Sequence, residues 1–352
     1  MVKAGIIGAG GYGGCGAIEI LSRHPEVEIR VLIDKEDVGK KISEIYPHLI
    51  GICDLEIMSP EDPRIEDLDL DVVFFATPDG VGQREARKWL SRGVRVIDYS
   101  GDFRFNSTEL YAGYAERIGR DGKHLSPELL KETVYGLPEL HRDNIKNSRI
   151  VGNPGCFAVS CILGIAPLVK EKLIDLETII CDSKTGVSGA GKRPTPLFHY
   201  PARYDSMNAY KISSHQHVYE IERELSILSG RDIRITFTPH VVPMCRGILS
   251  TIYARIEPGK KIEHILETYR EFYKDERFVR IFPPGTILQT AHVRGSNFCN
   301  ICPNLDERTG KVIVISVIDN LVKGQAGNAV QNMNIMFGLD EDLGLTFPGI
   351  YP

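Results

Sequence analysis

Residues 149–166 read RIVGNPGCFAVSCILGIA: an apolar strand end, the turn Asn153-Pro154-Gly155, then Cys156 at the start of a helical stretch. A cysteine placed there faces the unpaired amides and the positive end of the helix dipole, which favour the reactive thiolate. The same amides can hold the oxyanion that forms when a thiolate adds to a carbonyl. The chemistry this permits is nucleophilic addition of the sulfur to a carbonyl carbon. The competing reading is a buried, inert thiol, which is the expectation for Cys161 on the apolar face of the same stretch.

Thiolate chemistry also needs a group that handles protons. Ser213-Ser214-His215-Gln216-His217 leads into VYEIERELS, a helix start carrying two histidines. His217 falls on the first helical turn, where the helix N-terminus favours a neutral, basic imidazole. An HxH pair can instead bind metal, but no third ligand stands at a predictable spacing, so acid–base or substrate work is the expectation and no metal is assigned. Cations suited to an anionic substrate are Arg104 in SGDFR, Lys192 and Arg193 in SGAGKRP, and His240 and Arg246 at a strand exit in FTPHVVPMCRG. Taken singly, each is also readable as a solvated surface charge.

A second constellation lies at the other end of the chain. VKAGII forms a short apolar strand that enters Gly8-Ala9-Gly10-Gly11-Tyr12-Gly13-Gly14 and then a helical pattern, CGAIEILSRHP. Glycines 8, 10 and 13 fit G-x-G-x-x-G, which permits a tight turn and close approach of backbone amides to a pyrophosphate. A second strand, VEIRVLID, ends in Asp34, about twenty residues past the glycines, where an acid bonds the ribose of NAD. Lys35 beside it suits the 2′-phosphate of NADP, so the two signals compete. Further βα units follow: LDVVFFATPDG as a strand, QREARKWLSRG as a helix capped by Gly93, and VRVIDYSGDFR as the next strand with a polar exit. The glycines could also serve a plain tight turn in another α/β protein, but strand, helix and acid all fall where a nucleotide site requires them.

These two constellations need a scaffold, and the chain is long enough for two domains at 352 residues. A net charge of −5 and the lack of a basic stripe give no reason to expect a nucleic-acid partner. No apolar window is long enough for a membrane helix, and the first residues already read as a strand, so a cytoplasmic protein is expected. Eight scattered cysteines argue for thiols rather than a disulfide framework. Cys299-Asn-Ile-Cys302 is a CxxC, but a zinc ribbon needs a second pair, which is absent. Neither an internal repeat nor a Pro/Gly/Ser-rich linker marks a boundary.

IGAGGYGG, SGDFR, YGLPEL, GNPGCFA, KTGVSGAGK, the HQH segment, TPHVVPMCRGIL, VRGSNFC and IDNLVKGQAGNAVQNMN run nearly end to end, and with them the chain resembles the N-acetyl-γ-glutamyl-phosphate reductases, kin to aspartate-semialdehyde dehydrogenase. The resemblance implies an α/β fold in which residues 1–155 with 327–352 form a Rossmann NAD(P)-binding domain and 156–326 a catalytic and dimerisation domain. It implies NADPH-dependent, arginine-biosynthetic reduction of N-acetyl-γ-glutamyl phosphate through a thioester on Cys156, with His217 as acid–base and His215 in reserve. Arg104, His215 and Arg246 are then nominated for substrate, and Gly8, Gly10, Gly11, Tyr12, Gly13, Asp34, Lys35, Thr77, Ser188, Gly189 and Asn328, beside Gly327, for the cofactor. A homodimer or homotetramer is also implied. Where the family commonly carries a Ser-Arg pair, this chain has Asp34-Lys35, so NAD stands beside NADP. Asp205-Ser206-Met207 replaces the familiar NEN stretch in a segment expected to touch substrate. Two alternatives stay open. One is a sister reductase of lysine or ornithine synthesis whose substrate rides on an acidic carrier protein met by Lys192, Arg193, Arg203 and Lys211. The other is a non-catalytic dinucleotide sensor, which has no need of a nucleophile at a helix start.

Overall fold

Apolar runs bounded by glycine turns make the strands of the first sheet, and the amphipathic runs between them make the helices on it. In chain order these are β1 (Val2–Ile7), α1 (Tyr12–Leu21), β2 (Val27–Ile33), α2 (Ile42–Ile45), β3 (Ile57–Met58), β4 (Val72–Phe75), α3 (Gly82–Leu90), β5 (Arg95–Asp98), α4 (Thr108–Arg117), β6 (Thr133–Tyr135), α5 (Pro138–Lys146) and β7 (Ile150–Gly152). The strands pair in parallel in the order β3-β2-β1-β4-β5-β7-β6. The order reverses between β1 and β4, and in such sheets ligands bind beyond the carboxyl ends of the strands at that point. The run LDVVFF, third among the strands legible in the sequence, is fourth in the chain: Ile57–Met58 slips in at the sheet edge as β3, too short to carry a periodic signal.

The second sheet is mixed. It is built from α6 (Cys156–Lys170), β8 (Ile174–Thr185), α7 (Tyr200–Arg203), β9 (Asn208–Ala209), α8 (His217–Ser229), β10 (Thr236–Val241), β11 (Ile248–Ile256), α9 (Ile262–Phe272), β12 (Val279–Ile281), β13 (Cys299–Asp306) and β14 (Lys311–Ile318). Strand order is β12-β13-β14-β11-β8-β10-β9, with β11 antiparallel to both β8 and β14 and β10 parallel to β8. One face alternates Cys181, Ser183 and Thr185 inward with Ile180, Asp182 and Lys184 outward along β8, and α6 lies on the inward face. α6 is buried from Phe157 to Val169, which explains its nearly unbroken apolar sequence. The last helix, α10 (Gly327–Met336), returns to the first sheet against α1 and α5.

The computed structural model describes residues 1–352, and these divide into one unit of Met1–Pro154 with Gln325–Phe347 and a second of Gly155–Gly324 with Pro348–Pro352. The five final residues, expected with the nucleotide domain, instead belong to the second unit. There the Ile350 amide donates to the Arg294 carbonyl at 2.7 Å, and Arg294 returns a bond to the Ile350 carbonyl at 3.1 Å.

α6 contains a defect and its repair. Pro167 has no N–H, so the carbonyl of Leu163, one turn earlier, has no helical donor. The hydroxyl of Tyr273 donates to that carbonyl at 2.6 Å, and Tyr269 on α9 donates to the next one, of Gly164, at 2.5 Å. Both tyrosines are buried, so no water can substitute. Tyr273→Phe keeps the ring and removes the donor; chemical denaturation is expected to show a loss of about 1–3 kcal/mol.

Candidate active site

In the first unit, Gly8 leaves β1 at φ +86°, a backbone shape that L side chains rarely adopt, and a Cβ there would overlap the Ala76 carbonyl. The turn closes through Gly11, which precedes α1, while Tyr12 opens that helix as a partly exposed ring. Asp34, at the end of β2, is turned back onto the glycine turn: Oδ2 accepts the Gly10 amide at 2.9 Å and Oδ1 the Lys35 and Glu36 amides at 2.7 and 3.2 Å. The Tyr46 hydroxyl donates to the Gly10 carbonyl at 2.8 Å. The Lys35 side chain is exposed.

Two buried polar atoms beside this turn have no hydrogen-bond partner: Thr77 Oγ1, next to Gly8, and Gln325 Oε1, whose amide lies beside Gly13. Buried orphans of this kind are satisfied by ligands, and with the glycine cradle they fit a dinucleotide. Gln325 was not singled out from the sequence, although it stands within the motif run KGQAGNAV. Asn328 is fully buried, with its amide nitrogen on the Gly136 carbonyl at 2.6 Å and the Asn153 side-chain oxygen at 2.9 Å. Asn332, one turn on, bonds the same two oxygens at 2.8 and 3.2 Å. Arg104 is likewise buried, spending Nε on the Asn153 carbonyl at 2.8 Å and Nη2 on that of Tyr99 at 2.6 Å. It therefore braces the turn ahead of the cysteine as well as carrying charge.

In the second unit, Cys156 is the first residue of α6, after Gly155 in extended conformation (φ −72°, ψ 144°). The leading amides of that helix have no carbonyl to bond within it. His217 is the first residue of α8, and its Nε2 lies so close to Gly155 that a Cβ at that position would overlap the ring. Glu220, one turn along α8 and fully buried, accepts the Gly155 amide on Oε2 at 2.9 Å and holds Oε1 4.0 Å from His217 Nε2. The sequence reading missed Glu220; the signal was its spacing of three from His217.

The His215 and His217 rings meet edge to face at 4.7 Å, with Phe157 and Phe237 packed on His215. The His217 amide donates to His215 Nδ1 at 3.2 Å, so the neutral His215 ring carries its proton on Nε2. Burial pushes the nearby Tyr210 phenol up, which keeps it a protonated donor. Gly324 packs against the Cys156 Cβ. By contrast Cys161 is buried among Ser183 and Ser250 hydroxyls at 3.5 and 3.7 Å.

Arg246 lies in the β10–β11 loop, its guanidinium paired with buried Asp319 at 3.1 Å and its side chain still a quarter exposed. Ser188 Oγ accepts from Asn320 at 3.0 Å, and Gly189 follows in the same short turn. His240 is inside β10 rather than beyond it, 3.1 Å from Asp182. Of the four cations proposed for a carrier protein, Lys192, Arg193 and Lys211 are exposed, but Arg203 is buried. Cys299 and Cys302 fall on opposite faces of β13, the first on the Ser316 hydroxyl at 3.5 Å and the second on the Pro283 carbonyl at 3.2 Å, so the CxxC thiols diverge.

Residues 3–148 match the family model of the semialdehyde dehydrogenase NAD binding domain, and residues 156–320 that of the semialdehyde dehydrogenase dimerisation domain. Among solved structures, aspartate semialdehyde dehydrogenase II of Vibrio cholerae, complexed with ASA, superposes at a TM-score of 0.73 over 96% of this chain and 98% of its own, at 16% identity. Aspartate semialdehyde dehydrogenase of Candida albicans, with NADP, does so at 0.70 over 96% and 99%, at 17% identity. These show a shared fold. N-acetyl-gamma-glutamyl-phosphate reductases of Desulforamulus reducens and Geobacter metallireducens are 44% and 45% identical, each over the full length of both chains. On that similarity, the chain is an oxidoreductase that belongs to the N-acetyl-γ-glutamyl-phosphate reductase family of semialdehyde dehydrogenases.

Proposed function

We propose that this enzyme reduces N-acetyl-γ-glutamyl phosphate to N-acetylglutamate 5-semialdehyde and phosphate, a step of arginine synthesis, through a thioester on Cys156. The observation that carries the reading is the pairing of Cys156, first in α6, with His217, first in α8, around the Glu220–Gly155 bond. His217 accepts the thiol proton, and Sγ attacks the acyl carbon. The carbonyl electrons move onto oxygen, which the leading amides of α6 stabilise. When they return, the C–O bond to phosphate breaks and phosphate leaves. The glycine turn with Thr77 and Gln325 would hold a reduced dinucleotide, whose chemistry would be to supply the hydride that reduces the thioester. His217 protonates the resulting oxygen and takes that proton back as the C–S bond breaks, releasing the aldehyde and regenerating the thiolate. Glu220 orients the imidazole and supports its charged form. Arg246 and His215 are proposed to meet the substrate, and Ser188, Gly189, Thr77 and Asn328 the cofactor.

NADPH is the reductant that the family resemblance implies. The Asp34 carboxylate, fixed by three backbone amides, suits the ribose diol of NADH better than a 2′-phosphate, so NADH serves as well. Free substrate is favoured over a carrier-linked one, because burial of Arg203 thins the cationic rim. A symmetric oligomer is supported by the dimerisation-domain match.

The test is phosphate-dependent oxidation of N-acetylglutamate semialdehyde, with NADP and with NAD. Cys156→Ala is expected to bind cofactor normally and to lose about 10³-fold or more in kcat; near-parental turnover would remove the mechanism. Glu220→Gln is expected to lower kcat while leaving cofactor binding unchanged, since the amide holds the Gly155 N–H and the His217 ring less firmly than the carboxylate does; an unchanged kcat would show that Glu220 does not position the ring. Asp34→Ser should raise the NADP-to-NAD ratio of kcat/KM by about tenfold, and an unchanged ratio would show that Asp34 does not face the ribose.

A further inference from the structure

The catalytic reading uses neither Cys15 nor what surrounds it. Cys15 and Glu19 stand one turn apart on α1 and so share a helix face. The short helical turn Pro47–Leu49 brings His48 against that face. Glu19 Oε1 lies 2.8 Å from His48 Nε2 and 3.8 Å from Cys15 Sγ, and all three donor atoms fall within 4.8 Å of one another. Bonds of about 2.0–2.3 Å in tetrahedral array place neighbouring donors about 3.4–3.6 Å apart, so closing this trio on one ion takes side-chain shifts of up to about 1.3 Å.

The setting fits as well as the spacing. Cys15 is buried, while the Glu19 and His48 side chains are 33% and 53% exposed, which leaves a solvent-facing fourth position and a path of entry. Arg23 bonds the backbone carbonyl of Glu19 at 2.9 Å, not its carboxylate. Thiolate with imidazole and carboxylate is a donor set for a borderline-soft cation, not for calcium or magnesium. We infer that Cys15, Glu19 and His48 form a binding site for one thiophilic divalent cation of the zinc type, outside the catalytic machinery. Its position gives it a consequence. Tyr46, whose ring packs edge to face on His48 at 6.0 Å, is the residue whose hydroxyl holds the Gly10 carbonyl. An ion that fixes His48 therefore also steadies the glycine turn.

Cobalt(II) titration of the full chain tests this, in a Cys156→Ser background so that the reactive thiol contributes nothing. One cobalt per chain is expected, with a thiolate-to-cobalt charge-transfer band and visible tetrahedral bands that zinc(II) abolishes. Cys15→Ser should remove the charge-transfer band, and His48→Gln, at an exposed position, should weaken binding at least about tenfold with an unchanged far-ultraviolet circular dichroism spectrum. Absence of the band, its survival in Cys15→Ser, or unchanged affinity in His48→Gln would each overturn the assignment.

Discussion

The hydrogen bond from the Gly155 amide to the buried carboxylate of Glu220 is the contact on which the proposed chemistry depends. It brings the first turns of α6 and α8 together, and the only residue that fits between them is one without a Cβ. A fully buried carboxylate is costly unless it is bonded and paired. Here a backbone amide meets one oxygen and an imidazole stands 4.0 Å from the other. The arrangement thus places Cys156, His217 and Glu220, the proposed nucleophile, base and orienting group, on two helices rather than on loops, which is what precise geometry requires.

The supports run outward from there. α6 is held over its sheet by burial along its whole length, and the gap left by Pro167 is closed by a tyrosine hydroxyl. In the first unit, two asparagines of α10 hold the Asn153 side chain while Arg104 holds its carbonyl, so the turn that leads into the cysteine is fixed from the helix and from the loop after β5. Asp34 does comparable work for the glycine turn, where its carboxylate accepts the Gly10 amide at 2.9 Å.

Much of this was legible in the sequence, and what was not has physical reasons. β1, the glycine turn and α1 follow from a strand-to-helix change of period, and Cys156 and His217 announce themselves by standing at helix starts. Glu220 does not, because an acid inside an amphipathic helix reads as solvent-facing until the tertiary partner of its carboxylate is known. Arg104 reads as a site cation from its motif, yet two of its donors serve backbone carbonyls, a use that composition cannot reveal. The partnership of Arg246 with Asp319 spans a separation of 73 residues and was equally invisible. The second sheet was the least legible part: β9 and β12 are two and three residues long, and its mixed order is set by non-local pairing.

The central claim is that the acyl group passes through Cys156. Mass spectrometry of the enzyme incubated with N-acetylglutamate semialdehyde and oxidised dinucleotide, with phosphate withheld, asks this directly, because hydride removal then leaves the acyl group with no acceptor but water. A mass increase equal to the N-acetylglutamyl group on the peptide containing Cys156, lost on addition of phosphate, is the predicted result. Reduced dinucleotide formed without any adduct, or an adduct on another residue, would contradict the account.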